Sequence, residues 1–306
     1  MDTDVPVGAV LVGLDGSAES ARALSWAATE AQRRQWPLHL MHVVDDMAWV
    51  RLVAGPQEAY PKQPVVRDAL AMLHDWDPGL VVTWSEHAGD PASWLAKGAD
   101  AARLTVVGSQ GRGAVAEAVF GSVTTQLIAR THCPVAVLRS GTPLPRPDAP
   151  VVAGIGYDKD EEAVLETAFE QAASRGVDVV VVHAWQVDAS TVVDHIELQG
   201  RPEKDAQQHE DALLSRTVAA ASRRHPTVEV TTYAAHEGAA QTLERHCANA
   251  ALLVVGARGR GEIGGAVLGS VSQQVVRGAT CPVLVVRGGR TALAAPEPES
   301  TARASS

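Results

Sequence analysis

The chain repeats itself at a spacing that no short-repeat architecture uses. Leu104-Thr-Val-Val-Gly-Ser-Gln-Gly-Arg-Gly113 returns as Leu252-Leu-Val-Val-Gly-Ala-Arg-Gly-Arg-Gly261. Phe120-Gly-Ser-Val123 returns as Leu268-Gly-Ser-Val271, and His132-Cys-Pro-Val135 as Thr280-Cys-Pro-Val283. All three pairs share an offset of 148 residues, whereas solenoid units repeat every ~20–50. A constant offset across separate motifs marks a duplicated whole domain. The openings also correspond, Val10-Leu-Val-Gly-Leu-Asp15 with Val151-Val-Ala-Gly-Ile-Gly156, at an offset of 141. The 306 residues fit two domains of ~150 each. Residues 1–140 and 151–290 are the expected domains. Residues 141–150 form a proline-rich, semi-stiff linker, and residues 291–306 a small, polar tail expected to be disordered.

Each repeat alternates short apolar runs with helical periodicity. In the first, Gly8–Leu14 reads as a strand and Ser20–Arg34 as a helix, with Ala21, Leu24, Ala27, Ala28 and Ala31 on one face. Strands are expected at Leu38–Val44, Leu80–Ser85, Leu104–Gly108 and Val135–Arg139. Helices are expected near Val65–His74 and Pro91–Ala101 and from Ser122. Strands that are apolar throughout and separated by helices predict a parallel sheet covered on both faces.

Composition narrows the functional classes. The formal net charge is −10, which repels nucleic-acid backbones and argues against a general nucleic-acid binder. Three cysteines, Cys133, Cys247 and Cys281, show no metal-type spacing and suit a reducing compartment. The start Met-Asp-Thr-Asp lacks the basic and apolar regions of a signal peptide. No apolar run approaches the ~20 residues that span a bilayer. The expectation is a soluble cytoplasmic protein with no membrane partner.

The repeated motif is Gly108-x-x-Gly111, nine residues, then Gly121-Ser122. Its partner is Gly256-x-x-Gly259, nine residues, then Gly269-Ser270. Each motif begins where a buried strand ends, at the carboxyl edge where open α/β sheets bind ligands. Glycines there reach φ > 0 and leave room beside the backbone. Successive N–H groups then form an anion-binding concavity. Ser122 and Ser270 are expected to cap the following helices, whose amino ends add donors and partial positive charge. Ser109, Arg112, Gly113, Arg260 and Gly261 lie within or beside the loops. A tight strand-to-helix turn asks for the same glycines, so the spacing alone leaves two readings open. The P-loop pattern, G-x-G-x-x-G after the first strand, G-x-S-x-G, H-E-x-x-H and C-x-x-C do not occur.

Gly-x-x-Gly-x9-Gly-Ser after the fourth strand resembles the ATP-binding motif of the universal stress protein family. Similar to that family too are Val12-Gly13-Leu14-Asp15-Gly16-Ser17, Leu40-Met-His-Val43 and Cys133-Pro-Val-Ala-Val-Leu-Arg139. The resemblance covers both repeats, in the tandem form of the family. It implies an α/β fold of two Rossmann-like domains, each a five-stranded parallel sheet of order 3-2-1-4-5 sandwiched by helices. It further implies ATP, with magnesium, at each carboxyl edge. On that resemblance Gly13 and Asp15 belong to the cofactor site, Asp15 lying near ribose and metal, and Val43 offers its backbone to adenine. Gly108, Gly111, Gly121, Ser122, Val123 and Thr124 hold ribose and phosphates. The second repeat contributes Ala184, Gly256, Gly259, Gly269, Ser270, Val271 and Ser272. In the family the last strands pair antiparallel between domains. The two repeats are therefore expected to pair internally, and two chains to form a homodimer by sheet-edge pairing.

The second repeat departs from the pattern where Asp15-Gly16-Ser17 becomes Gly156-Tyr157-Asp158. Asp158 substitutes for the carboxylate from another angle, or Tyr157 packs on or blocks the base; either weakens ATP there. No general base or nucleophile stands near the loops, so the expected role is a stress-response regulator rather than an enzyme. The alternative is a nucleotide-independent interaction scaffold, in the second repeat above all. His42 and His183 occupy equivalent strand ends and are expected to be structural. Residues 45–63 and 186–205 read equally as flaps over a ligand or as surface loops.

Overall fold

The structure, a computed structural model, describes residues 3–44, 63–110, 121–139, 141, 146, 148–185, 203–258 and 268–288. The first repeat runs β1 (Val10–Leu14), α1 (Ala18–Arg34), β2 (Leu38–Val44), α2 (Pro64–Trp76), β3 (Val82–Ala88), α3 (Pro91–Ala99), β4 (Leu104–Gly108), α4 (Ser122–Arg130) and β5 (Val135–Leu138). The second runs β6 (Val151–Ile155), α5 (Glu161–Arg175), β7 (Val179–Ala184), α6 (Glu203–Arg224), β8 (Val230–Ala235), α7 (Ala239–Cys247), β9 (Leu252–Gly256), α8 (Ser270–Gly278) and β10 (Val283–Val286).

All ten strands form one sheet of order β3-β2-β1-β4-β5-β10-β9-β6-β7-β8. Each half is parallel and carries the expected 3-2-1-4-5 order. The halves meet at the antiparallel pair β5–β10, where Val137 faces Val283, Ala136 faces Leu284 and Val135 faces Val285. The expected internal pairing is therefore present. Among the described strands, the edges left for pairing between chains are β3 and β8.

Strand alternation divides the interior into two apolar layers. Val10, Val12 and Leu14 face the layer of α1, α2, α5 and α6, with Leu24, Leu73, Phe169 and Leu214. Leu11 faces the layer of α3, α4, α7 and α8, with Leu95, Leu127, Leu243 and Val275. Both layers run unbroken across the junction: Ala136 and Leu284 lie in the first, Val137 and Val283 in the second. The two repeats thus share their cores. Trp26, Trp36 and Trp84 pack against the first layer and Trp94 against the second, in keeping with a packing role for these aromatics.

β3 differs from the sequence expectation. It begins at Val82 and continues through Ser85-Glu86-His87 to Ala88, pairing with Met41–Val44 of β2. Its polar residues fit because they bond one another. His39, fully buried, bonds Thr83 Oγ1 at 2.8 Å and Ser85 Oγ at 2.9 Å, and His87 bonds the same Ser85 oxygen at 3.0 Å. Val180 holds the position of His39 in the second repeat, so the network belongs to the first alone.

Side chains join the repeats on both faces of the sheet. On one, Arg175 of α5 pairs with Glu30 of α1, whose side chain is 1% exposed. Arg34 donates to the Glu170 carbonyl at 3.4 Å and to Ser174 Oγ at 3.2 Å. On the other, Arg139 donates to the Ala279 carbonyl at 3.4 Å, and Arg287 to the Ile128 and Ala129 carbonyls at 2.9 and 3.3 Å. Arg139 and Arg287 are repeat equivalents, so each repeat caps a helix end of the other.

Two measurements check this core. Glu30→Ala leaves the Arg175 guanidinium buried without its carboxylate, and urea unfolding is expected to show a loss of about 3–5 kcal/mol. The double variant Glu30→Gln/Arg175→Met should recover most of that loss. For acid sensitivity, burial lowers the His39 pKa from 6.5 to about 4. The unfolded chain then takes up a proton that the folded chain refuses. Stability is full above about pH 6.5 and falls as the pH drops towards 4, by about 3 kcal/mol in all. His39→Val should flatten that part of the stability–pH curve; an unchanged curve would sink the assignment.

Candidate functional site

The carboxyl ends of the strands collect the residues that the sequence singled out. In the first repeat the turn after β1 is built by Asp15. Its Oδ1 accepts from the Ser17 N–H at 2.9 Å and from Ser17 Oγ–H at 2.6 Å. Ser17 in turn caps α1 by accepting from the Ser20 N–H at 3.1 Å. Gly16 sits at φ 77, a left-handed conformation natural to glycine. Its counterpart Tyr157 adopts φ 53, which costs a residue with a Cβ roughly 1–2 kcal/mol. The backbone path of the turn is therefore kept although its residues are exchanged. Tyr157 rests on the His183 ring, with centroids 4.1 Å apart.

The two histidines tie strands together. His42 Nδ1 bonds the Leu14 carbonyl at 2.6 Å and His183 Nδ1 the Ile155 carbonyl at 3.0 Å. Both are buried, which agrees with the structural role expected of them.

The first glycine of each motif has a packing reason. A Cβ on Gly108 would lie 2.7 Å from Glu19 Cβ, and one on Gly256 would lie 3.0 Å from Asp160 Cβ. The space beside these glycines is filled by the amino ends of α1 and α5. Gly121 and Gly269 turn the chain into α4 and α8, donating their N–H groups to the Ser109 and Ala257 carbonyls at 3.0 and 2.9 Å.

Capping differs from the sequence expectation. The N-cap residues are Gly121 and Gly269, with no side-chain cap bond, and Ser122 and Ser270 are the first helical residues. A side chain at Gly121 would meet the Ser109 carbonyl at 3.0 Å, so the tight turn selects glycine at the cap. The first-turn N–H donors thus have no side-chain cap. Thr124 and Ser272 are buried and use their hydroxyls on the Gly108 and Gly256 carbonyls, at 3.0 and 2.6 Å. They pin helix to strand. Val123 is half-buried and Val271 exposed on the same first turns. Gly13 and its equivalent Gly154 lie in mid-strand against Leu95 and Leu243.

In the second repeat these elements line a half-open cavity of about 300 Å³, a size suited to a small-molecule ligand. Gly154, Val182, Ala184, Leu243 and Val255 make an apolar floor. Asp158, Arg258, Ser270 and Ser272 bring polar groups. Six residues expected at the second site, Ala184, Gly256, Gly269, Ser270, Val271 and Ser272, line it together. In the first repeat Asp15, Val43, Gly108, Ser109, Gly121 and Ser122 stand at the matching sheet edge. Gly111, Arg112, Gly113, Gly259, Arg260 and Gly261 lie outside the described residues, as does almost all of each expected flap. Among the described residues no His, Cys, Asp and Glu group is arranged to hold a metal ion, and no helix is long and apolar enough to cross a membrane.

Sequence reasoning missed Arg258 and Asp160. Arg258 replaces Gln110 of the first repeat and Asp160 replaces Glu19. Only the exchange of Gln110 for Arg258 changes the charge, and that difference was the available signal; Asp160 keeps the charge of Glu19 on a side chain one methylene shorter.

Comparison with known proteins agrees with this geometry. The model of the universal stress protein family matches residues 7–139 and again 149–287. Universal stress protein Rv2005c of Mycobacterium tuberculosis is 35% identical over 293 residues, covering 91% of this chain and 96% of that protein. Rv2623 of the same organism is 31% identical over 296 residues, covering 92% and 97%. Among solved structures, a functionally unknown protein of Pseudomonas aeruginosa, PA1789, superposes with a TM-score of 0.64 at 15% identity, covering 92% and 93%. A universal stress protein from Archaeoglobus fulgidus gives 0.57 at 17%, covering 92% and 98%. At these identities the structures speak for the fold alone.

Gly108→Ala is expected to destabilise the protein by about 1–3 kcal/mol through its clash with Glu19. The loss should be the same with and without nucleotide in thermal melts. A loss that grows in the presence of nucleotide would instead assign Gly108 to ligand contact.

Proposed function

The chain belongs to the universal stress protein family, and on that footing we propose that it is a nucleotide-binding regulator. Its ligand is ATP with magnesium, held at the carboxyl edge of the sheet. The observation that carries this reading is the cavity of the second repeat, about 300 Å³. Gly256, Gly269, the amino end of α8 without a side-chain cap and Arg258 meet there over an apolar floor. Helix amino ends and loop N–H groups suit phosphate, and the floor suits a base. The first repeat presents Asp15, Val43, Gly108, Gly121 and Ser122 in the same arrangement, with its carboxylate at the position that Gly156 holds in the second.

The ligand acts by shifting conformational populations rather than by being turned over. Asp158 and His183 are the titratable acid and imidazole that line the cavity. His183 Nδ1 is already engaged by the Ile155 carbonyl. Hydrolysis is therefore slow at most. The working compartment is the cytoplasm, and a homodimer formed by edge pairing uses β3 or β8.

One observation favours the scaffold reading. The first glycine of each motif is required by helix packing, and the hydroxyls of Thr124 and Ser272 serve the protein's own carbonyls. Analysis of small molecules released on denaturation separates the two readings. Adenine nucleotide should appear in the supernatant, and Mg-ATP should raise the melting temperature. Gly269→Glu should remove the second repeat's share of that rise and Gly121→Glu the first's. A protein that releases no nucleotide and melts identically with and without Mg-ATP is a scaffold.

A further inference from the structure

Asp160 precedes α5, yet its carboxylate makes no cap bond to that helix. It is 1% exposed. Its Oδ2 accepts from the Arg258 N–H at 3.3 Å, and its Oδ1 from the Gly288 N–H at 2.7 Å. Its own N–H donates to Asp158 Oδ1 at 2.8 Å. A carboxylate so buried is costly unless it is paired. Here two backbone donors satisfy it, and charge-assisted bonds of this kind are the stronger sort.

These contacts join two distant places. Arg258 lines the cavity of the second repeat. Gly288 follows Arg287, whose guanidinium donates to the Ile128 and Ala129 carbonyls in the last turn of α4. The amino end of α4 is Gly121–Ser122, the first repeat's own phosphate position. Burial lowers the Arg287 pKa, Arg258 lowers it further and Asp160 opposes both, so the three charges lie within electrostatic reach. The path also needs a glycine at 288, because a Cβ there would lie 2.7 Å from the Lys159 carbonyl. Glu19, the equivalent of Asp160 in the first repeat, is only half-buried.

We infer that Asp160 is a positioning residue linking the two sites. It holds Gly256–Arg258 in its cavity-lining shape and ties that segment, through Gly288 and Arg287, to α4 of the first repeat. Ligand entering one repeat is then felt by the other, and linkage makes the effect reciprocal. This coupling rests on the nucleotide reading above; the mechanical link does not.

Amide hydrogen exchange on the full chain tests the link without ligand. Asp160→Ala should speed exchange about tenfold or more at Arg258, at Gly288 and in the last turn of α4, leaving β1 and β2 unchanged. Asp160→Asn, which keeps one acceptor oxygen, should restore part of the protection. Glu19→Ala should leave α4 as in the wild type. A uniform rise across both repeats, or a rise at Arg258 and Gly288 with α4 unaffected, overturns the link. With Mg-ATP or AMP as probe, wild-type sites should change each other's affinity about fivefold or more, and those of Asp160→Ala should titrate independently. Independent wild-type sites overturn the coupling. A wild type that takes up neither probe defeats the nucleotide reading, and the ligand-free exchange still decides the role of Asp160.

Discussion

The antiparallel pair β5–β10 is the constraint on which the rest depends. It joins two five-stranded parallel halves and so turns two domains into one sheet. An unpaired apolar edge invites association with other chains, and here the second repeat fills the edge left by the first. Both apolar layers then continue through the junction. The pairing also brings Arg139 and Arg287 to the ends of α8 and α4, where backbone carbonyls lack helical partners. Without the strand pair, neither the shared cores nor these crossed caps would form.

Around this near-symmetric frame, charge is distributed unequally. Glu30 of α1 faces α5, where the equivalent residue is Gln171, so one carboxylate serves the arginines of both helices. Asp15 has no counterpart at Gly156. Asp160 is buried and bonded on both oxygens, whereas Glu19 is half-buried. His39 organises a polar network that Val180 cannot. Duplication supplied two similar scaffolds, and substitution at a few buried positions made them chemically different. Such positions matter because a buried charge without a partner costs several kcal/mol, whereas a changed surface residue costs little.

Much of the architecture was legible in the primary structure. The 148-residue offset revealed the duplication, and apolar runs separated by helical periodicity revealed a covered parallel sheet. Elements were misplaced where polar residues lay inside one. β3 extends to Ala88 because Ser85 bonds both His87 and, across the sheet, His39, a reason invisible to a pattern of apolar residues. The caps were misjudged for a similar reason. Serine is the common N-cap, but the turn into α4 leaves no room for a side chain and takes Gly121 instead. Arg258 and Asp160 carry no motif, and their meeting follows only from the approach of α5 to the ends of β9 and β10.

By itself, the sequence determined the duplication, the strand–helix alternation and the place of the glycine loops, because each is local or periodic along the chain. Only the tertiary structure decided what surrounds those loops. It put Glu19 and Asp160 in the space beside the first glycines, formed a cavity in the second repeat, and brought Arg258 and Gly288 together on Asp160. These outcomes depend on which side chains from distant segments arrive at the same few ångströms. A linear pattern does not encode that proximity; strand order and helix packing do.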